Sequence, residues 1–93
     1  MAAVLMYCTA ACPYCQAAER LLTDKGVADL TRIRVDTEPA RRAEMTERSG
    51  RRTVPQIWIG TRHVGGFDDL YELEQAGELD ALLQSTRQEA STP

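Results

Sequence analysis

Long hydrophobic runs are missing from this 93-residue chain, and so is any excess of positive charge. No apolar stretch approaches the length of a membrane-spanning helix. The net charge is −3 at pH 7, which removes the electrostatic footprint of a general nucleic-acid binder. There is a single histidine, His63. The apolar opening from Met1 to Met6 has neither a basic n-region nor a long h-region, so it does not read as a secretory leader. A cytoplasmic protein is expected. In a reducing compartment the three cysteines do not form a structural disulfide framework. Catalysis or metal binding remains.

What is present is ordinary for a globular protein: 43% hydrophobic and 27% charged residues. The length suits one core and is too short for two. One domain is expected over residues 1–85, followed by a polar, frayed tail over 86–93.

Val4-Leu5-Met6-Tyr7-Cys8 is a nearly continuous apolar run, the pattern of a strand buried on both faces. Tyr14, Ala17, Ala18, Leu21 and Leu22 then recur at i, i+3, i+4, i+7 and i+8, one apolar stripe of a helix. Pro13 suits its first turn; Lys25 and Gly26 suit its end. Residues 31–35 alternate, with Ile33 and Val35 on one face, and predict a second strand. Strand, helix and strand in so few residues imply a right-handed βαβ unit with parallel strands.

A second helix is expected from Pro39 to about Ser49, capped by Asp36 or Thr37, supported by a Glu44–Arg48 pair and stopped by Gly50. Its apolar stripe (Ala40, Ala43, Met45) is thin, which predicts an exposed and mobile helix. Gln56–Ile59 and Arg62–Val64 flank Gly60-Thr61 in the form of a tight hairpin. Gly65-Gly66 breaks the second of these strands. Asp68 and Asp69 open a helix carrying Leu70, Leu73 and Ala76; beyond Gly77, Leu79, Leu82 and Leu83 mark a short last helix. The order predicts an α/β fold, a four-stranded mixed sheet flanked by helices on both faces.

Cys12-Pro13-Tyr14-Cys15 sits at the first strand-to-helix junction. Positions i and i+3 share one helix face, so the two sulfurs can close a disulfide or ligate one metal ion. Cys12 lies near a helix N-terminus, where unpaired N–H groups and the helix dipole favour a thiolate, the nucleophilic form. Redox chemistry is the first reading and metal binding its rival. Two further stretches need explaining: Thr53-Val54-Pro55 before the third strand, and Gly65-Gly66-Phe67-Asp68-Asp69 at a helix start.

Together, in this order, the Cys-Pro-Tyr-Cys tetrad, the segment from Ser49 to Ile57 and the segment from Gly65 to Leu70 resemble the dithiol glutaredoxins, within the thioredoxin fold. The resemblance runs from Val4 to about Leu83. It implies a glutathione-dependent thiol–disulfide oxidoreductase that reduces protein disulfides and protein–glutathione mixed disulfides. Cys12 would be the nucleophile and Cys15 the resolving thiol. Tyr14 would flank the sulfur and contact glutathione. Pro55 would be cis, leaving the Val54 backbone to pair with glutathione like an added strand, with Thr53 beside it. The helix start at Phe67–Asp69 would take the γ-glutamyl carboxylate through its N–H groups. Asp69 first, or Asp68, would meet the α-amino group, and Arg42 the glycyl carboxylate. Glutathione would be the co-substrate, with no tightly bound cofactor, no metal, no nucleic acid or membrane partner, and a monomeric protein.

Two residues depart from the family pattern. Thr9 stands where many relatives carry lysine, and Phe67 where many carry cysteine. Cationic work would then fall to Arg42, Arg52 or the helix dipole. Of Arg41, Arg42, Arg51 and Arg52, at least one is expected to bind a glutathione carboxylate, since guanidinium forks suit carboxylates. Cys8 is expected to be a small buried hydrophobe. Cys8, Cys12, Cys15 and His63 form only a nominal zinc set. Trp58, Ile57 and Ile59 are expected in the core or on the sheet face, and Gln56 is expected to be only a strand residue. The rival functions are an iron–sulfur module ligated by Cys12 and glutathione, and a thioredoxin-like protein reduced by a flavoprotein.

Overall fold

The computed structural model describes residues 3–84, and the frayed tail expected over 86–93 lies outside them. The chain runs β1 (Val4–Cys8), α1 (Pro13–Asp24), β2 (Leu30–Arg34), α2 (Pro39–Ser49), β3 (Gln56–Ile59), β4 (Arg62–Gly65) and α3 (Phe67–Gln75). A final helical stretch begins at Leu79 and continues to the end of the described residues. The strands form one sheet in the order β2-β1-β3-β4. β1 pairs parallel with β2 and antiparallel with β3, which pairs antiparallel with β4. The mixed sheet with helices on both faces matches the expectation from the sequence, as does the thioredoxin-like arrangement.

Period-two alternation divides β1 and β3 between two cores. Val4, Met6, Cys8, Ile57 and Ile59 face the side covered by α1 and α3, where they pack with Cys15, Ala18, Leu22 and Leu70. Leu79 and Leu83 dock on that same core. Tyr7 and Trp58 face the other side, where they meet Val35 and Met45 of the α2 layer. β1 is therefore buried on both faces, which is why its sequence is an unbroken apolar run.

Several local expectations need correction. β2 covers residues 30–34 and not 31–35; Val35 has left the strand but still donates its N–H to Cys8 O at 3.0 Å and stays buried. β4 runs on through Gly65, which pairs with Ile57 across a bulge. Tyr14, placed on the apolar stripe of α1, is 62% exposed, because helix periodicity counts polarity and cannot see which neighbours exist. The N-cap of α2 is Glu38, without a side-chain bond, and not Asp36 or Thr37. Asp36 is instead held by a two-bond fork from Arg34 at 2.7 Å and by the N–H of Ala10.

In α2, Ala40 and Ala43 are exposed, and only Met45 is buried. Glu44 and Arg48 do not pair with each other as expected. Both turn to Tyr7: its hydroxyl donates to Glu44 Oε2 at 2.5 Å and accepts from Arg48 at 2.9 Å. The Arg48 guanidinium also lies 4.5 Å from the Trp58 ring centroid, a cation–π contact. A helix with a thin apolar stripe is thus held by one buried methionine and by polar bonds to a wholly buried tyrosine. We expect Met45→Ala to cost about 2–5 kcal/mol in urea unfolding. Ala43→Ser should move stability by less than about 0.5 kcal/mol. Equal costs at both positions would show that Met45 does not anchor the helix.

Candidate active site

α1 begins where β1 ends, and the residue that caps it is a cysteine. Cys12 has extended φ/ψ, and its Sγ accepts the N–H of Cys15 at 3.4 Å, the bond that a serine or threonine hydroxyl usually accepts at an N-cap. Pro13 occupies the first helical position, where no N–H is needed. One turn later Cys15 points into the core and is 3% exposed, whereas Cys12 is only partly buried. All three cysteines are free. Burial pushes the Cys15 thiol up to about 12, against a smaller opposing bond from the Thr9 backbone. Cys8 is buried in the core as expected, and burial raises its thiol too. Thr9, the position without the lysine, is partly buried, and its backbone bonds Cys15.

The wall opposite Cys12 comes from the loop before β3. The Val54–Pro55 peptide is cis, and Val54 O lies 3.8 Å from Cys12 Sγ. Among the described residues the Val54 N–H has no protein partner. The third wall is the start of α3. Gly65 has φ +118°, and a Cβ there would come within 2.3 Å of Asp69 Oδ2, so both backbone shape and space demand glycine. Asp69 Oδ2 accepts the Gly66 N–H and one Arg51 nitrogen, each at 2.9 Å. Arg51 first, and the Gly66 N–H second, hold the Asp69 carboxyl below its ordinary value.

Between these walls lies an open cleft of about 300 Å³, lined by Tyr14, Arg51, Thr53, Val54, Pro55, Gly66, Phe67, Asp68 and Asp69. Tyr14 and Phe67 face each other with ring centroids 6.5 Å apart. Three segments far apart in sequence therefore share one cleft beside one cysteine.

The glutaredoxin family model matches residues 4–64, which take in the cysteine pair and the Thr53–Pro55 wall and stop just before the α3 wall. A Pseudomonas aeruginosa glutaredoxin is 55% identical over 85 residues, covering 91% of this chain and 100% of that relative. The chain belongs to the glutaredoxin family. It is therefore a glutathione-dependent thiol–disulfide oxidoreductase. The solution structure of a Brucella melitensis glutaredoxin superposes with a TM-score of 0.77 at 54% identity, covering 89% of each chain. A buckwheat glutaredoxin–glutathione complex superposes at 0.83 with 30% identity, covering 91% of this chain and 79% of that one.

Cys12, Tyr14, Thr53, Val54, Pro55, Phe67, Asp68 and Asp69 converge on or beside the cleft. Arg42 does not. It donates to Arg52 O at 2.9 Å and, with Arg52, lines a separate, larger depression of about 890 Å³ along α2, away from the cysteines. Arg51 takes the place in the cleft. The only available signal was its position two residues before Thr53, on the same short loop. The carboxylate of Asp69 is engaged in capping its own helix and pairing with Arg51, whereas Asp68 is exposed and has no partner among the described residues. His63 is bound to Gln56 at 2.8 Å, and among the described residues no group of three or more His, Cys, Asp or Glu could hold a metal ion. Gln56, expected to be only a strand residue, is a wholly buried polar group.

The burial of Cys15 separates the two thiols in reactivity. At pH 8 the Cys15 thiol stays protonated, because deprotonation waits until the pH approaches about 12. Brief treatment of the reduced protein with iodoacetamide at pH 8 should label Cys12 and leave Cys15 and Cys8 largely unmodified, read by peptide mass mapping. Labelling of Cys15 at a rate equal to Cys12 would contradict the assignment.

Proposed function

We propose that Cys12 is the attacking thiol and Cys15 the resolving one, acting on protein–glutathione mixed disulfides and protein disulfides. The observation that carries this reading is the difference between the two sulfurs: one caps a helix at the edge of a cleft, the other is buried and held protonated. The Cys12 thiolate attacks the glutathione sulfur of a mixed disulfide. The substrate protein leaves as a thiolate and takes a proton from water, and Cys12 carries the glutathionyl group. A second glutathione thiolate then attacks that glutathionyl sulfur, forming oxidised glutathione and regenerating the Cys12 thiolate. With a protein disulfide, Cys12 forms the mixed disulfide, Cys15 gives up its proton and attacks Cys12, and the substrate leaves with both thiols reduced. Two glutathiones then reduce the Cys12–Cys15 bond.

The cleft is read as the glutathione site. The Val54 N–H, without a partner among the described residues, and the Val54 C=O offer an extended edge to the cysteinyl backbone of glutathione. The N–H groups at the start of α3 suit the γ-glutamyl carboxylate. Asp68, whose carboxylate has no partner among the described residues, is better placed than Asp69 for the α-amino group. Arg51 supplies the cation in the cleft, ahead of Arg42. The complex of the buckwheat relative with glutathione supports this reading. Residues 1–85 act as one domain, monomeric and cytoplasmic, with glutathione as co-substrate and no tightly bound cofactor. A net charge of −3 argues against nucleic acid, and no helix among the described residues is long and apolar enough to cross a membrane.

The roles separate by substitution. Cys15→Ser should keep turnover of a protein–glutathione mixed disulfide and lose reduction of a protein disulfide, while Cys12→Ser should abolish both. A folded Cys15→Ser protein that had lost the two activities equally would refute the division.

A further inference from the structure

Gln56 follows Pro55 directly and opens β3. Among the described residues it is the one polar side chain in the core, with no exposed surface. A buried amide needs partners at both ends. Its Nε2 lies 3.1 Å from Thr53 O and 3.3 Å from Thr53 Oγ1, and its Oε1 lies 2.8 Å from His63 Nε2.

The Thr53 carbonyl settles which way round the amide sits. Only an N–H can face a carbonyl oxygen at that distance. The amide oxygen must then face His63, so His63 carries its proton on Nε2. Thr53 Oγ1 accepts from Gln56, so its own proton is left to be donated, and Thr53 is exposed where it lines the cleft. His63 is held in turn by its contact with Trp58, ring centroids 4.5 Å apart.

We propose that Gln56, gripped by His63, is a positioning residue that turns the Thr53 hydroxyl into a hydrogen-bond donor for a carboxylate of the glutathionyl group. This rests on reading the cleft as the glutathione site. A carboxylate only accepts hydrogen bonds, so a hydroxyl already committed as acceptor to Gln56 meets it in the one productive orientation. Without the amide, a threonine hydroxyl is free to turn to a nearby backbone carbonyl instead. Arg51 lines the same cleft and commits only its Nη1 to Asp69, so among the described residues its other nitrogens are open to a carboxylate.

The test uses single-turnover transfer to Cys12 from two mixed disulfides of 4-nitrothiophenol, one with glutathione and one with glutathione diethyl ester, whose carboxylates are capped. Release of the coloured thiolate gives a half-saturation concentration and a limiting rate for each. Gln56→Met should raise half-saturation for the glutathione disulfide about tenfold, the usual scale for a lost charge-assisted bond, with the limiting rate unchanged. The diester should be unaffected. Thr53→Val should show the same selective loss, and the double variant should lose no more than either single one. His63→Phe keeps a ring against Trp58 but removes the Nε2–H; it should shift the ratio in the same direction, and it carries the test should Gln56→Met fail to fold. Equal losses on the two disulfides, a fall in limiting rate alone, or additive losses in the double variant would each overturn the inference. A wild-type protein with no preference between the two disulfides would overturn the reading of the cleft as well, whereas an intact preference in every variant would overturn the inference alone.

Discussion

A helix must find acceptors for the N–H groups of its first turn, and at α1 one of those acceptors is a sulfur. Most of the site depends on this. Because Cys12 is the N-cap, its Sγ is held at the end of β1 in the field of the helix dipole, facing the Val54 carbonyl. Because Cys15 is three residues on, it lies one turn inside the same helix and faces the core. One local geometry makes two chemically different thiols from a four-residue motif. Pro13 reinforces it, since a residue without an N–H removes one of the donors that would otherwise need satisfying.

The cap would have little to act on without the sheet. β1 is central and held by both cores, and Cys12, four residues beyond its end, packs against the α1–α3 core. The loop before β3 and the start of α3 reach the same end because β3 pairs antiparallel with β1 and β4 pairs antiparallel with β3. Gly65 lets the chain turn from β4 into α3 with Asp69 folded back over it, and that carboxylate both caps the helix and holds Arg51. The second core is more polar in its fastenings. Tyr7, Glu44 and Arg48 tie α2 to the sheet, Arg48 covers Trp58, Trp58 supports His63, and Gln56 joins His63 to Thr53 in the cleft. Both layers thus end at the cleft, one through apolar packing and one through buried polar contacts.

Much of this was legible in the chain. The apolar run of β1, the i, i+3, i+4 stripe of α1, Gly60-Thr61 in the hairpin and Gly50 after α2 are local signals, set by side-chain periodicity and backbone freedom within a few residues. They placed the elements to within a residue or two. The errors arose where a side chain had a choice of distant partners. Glu44 and Arg48 satisfy a helix-pairing rule on paper but meet Tyr7 instead, 37 and 41 residues away. Asp36 has the composition of a cap but is taken by Arg34 and the backbone of Ala10. Tyr14 satisfies the apolar period yet faces the cleft.

The sequence by itself determined the family, the order of elements and the two thiols, because a dithiol motif, a Thr-Val-Pro segment and a Gly-Gly helix start are written in contiguous residues. The motif at Cys12-Pro13-Tyr14-Cys15 needed no tertiary information to point to redox chemistry. Only the tertiary structure decided which arginine enters the cleft, which aspartate caps α3 and pairs with that arginine, and what Gln56 is bound to. Each of these is a competition between partners that the fold brings within hydrogen-bonding distance, and the winner is settled by geometry across the sheet, to which spacing along the chain is blind.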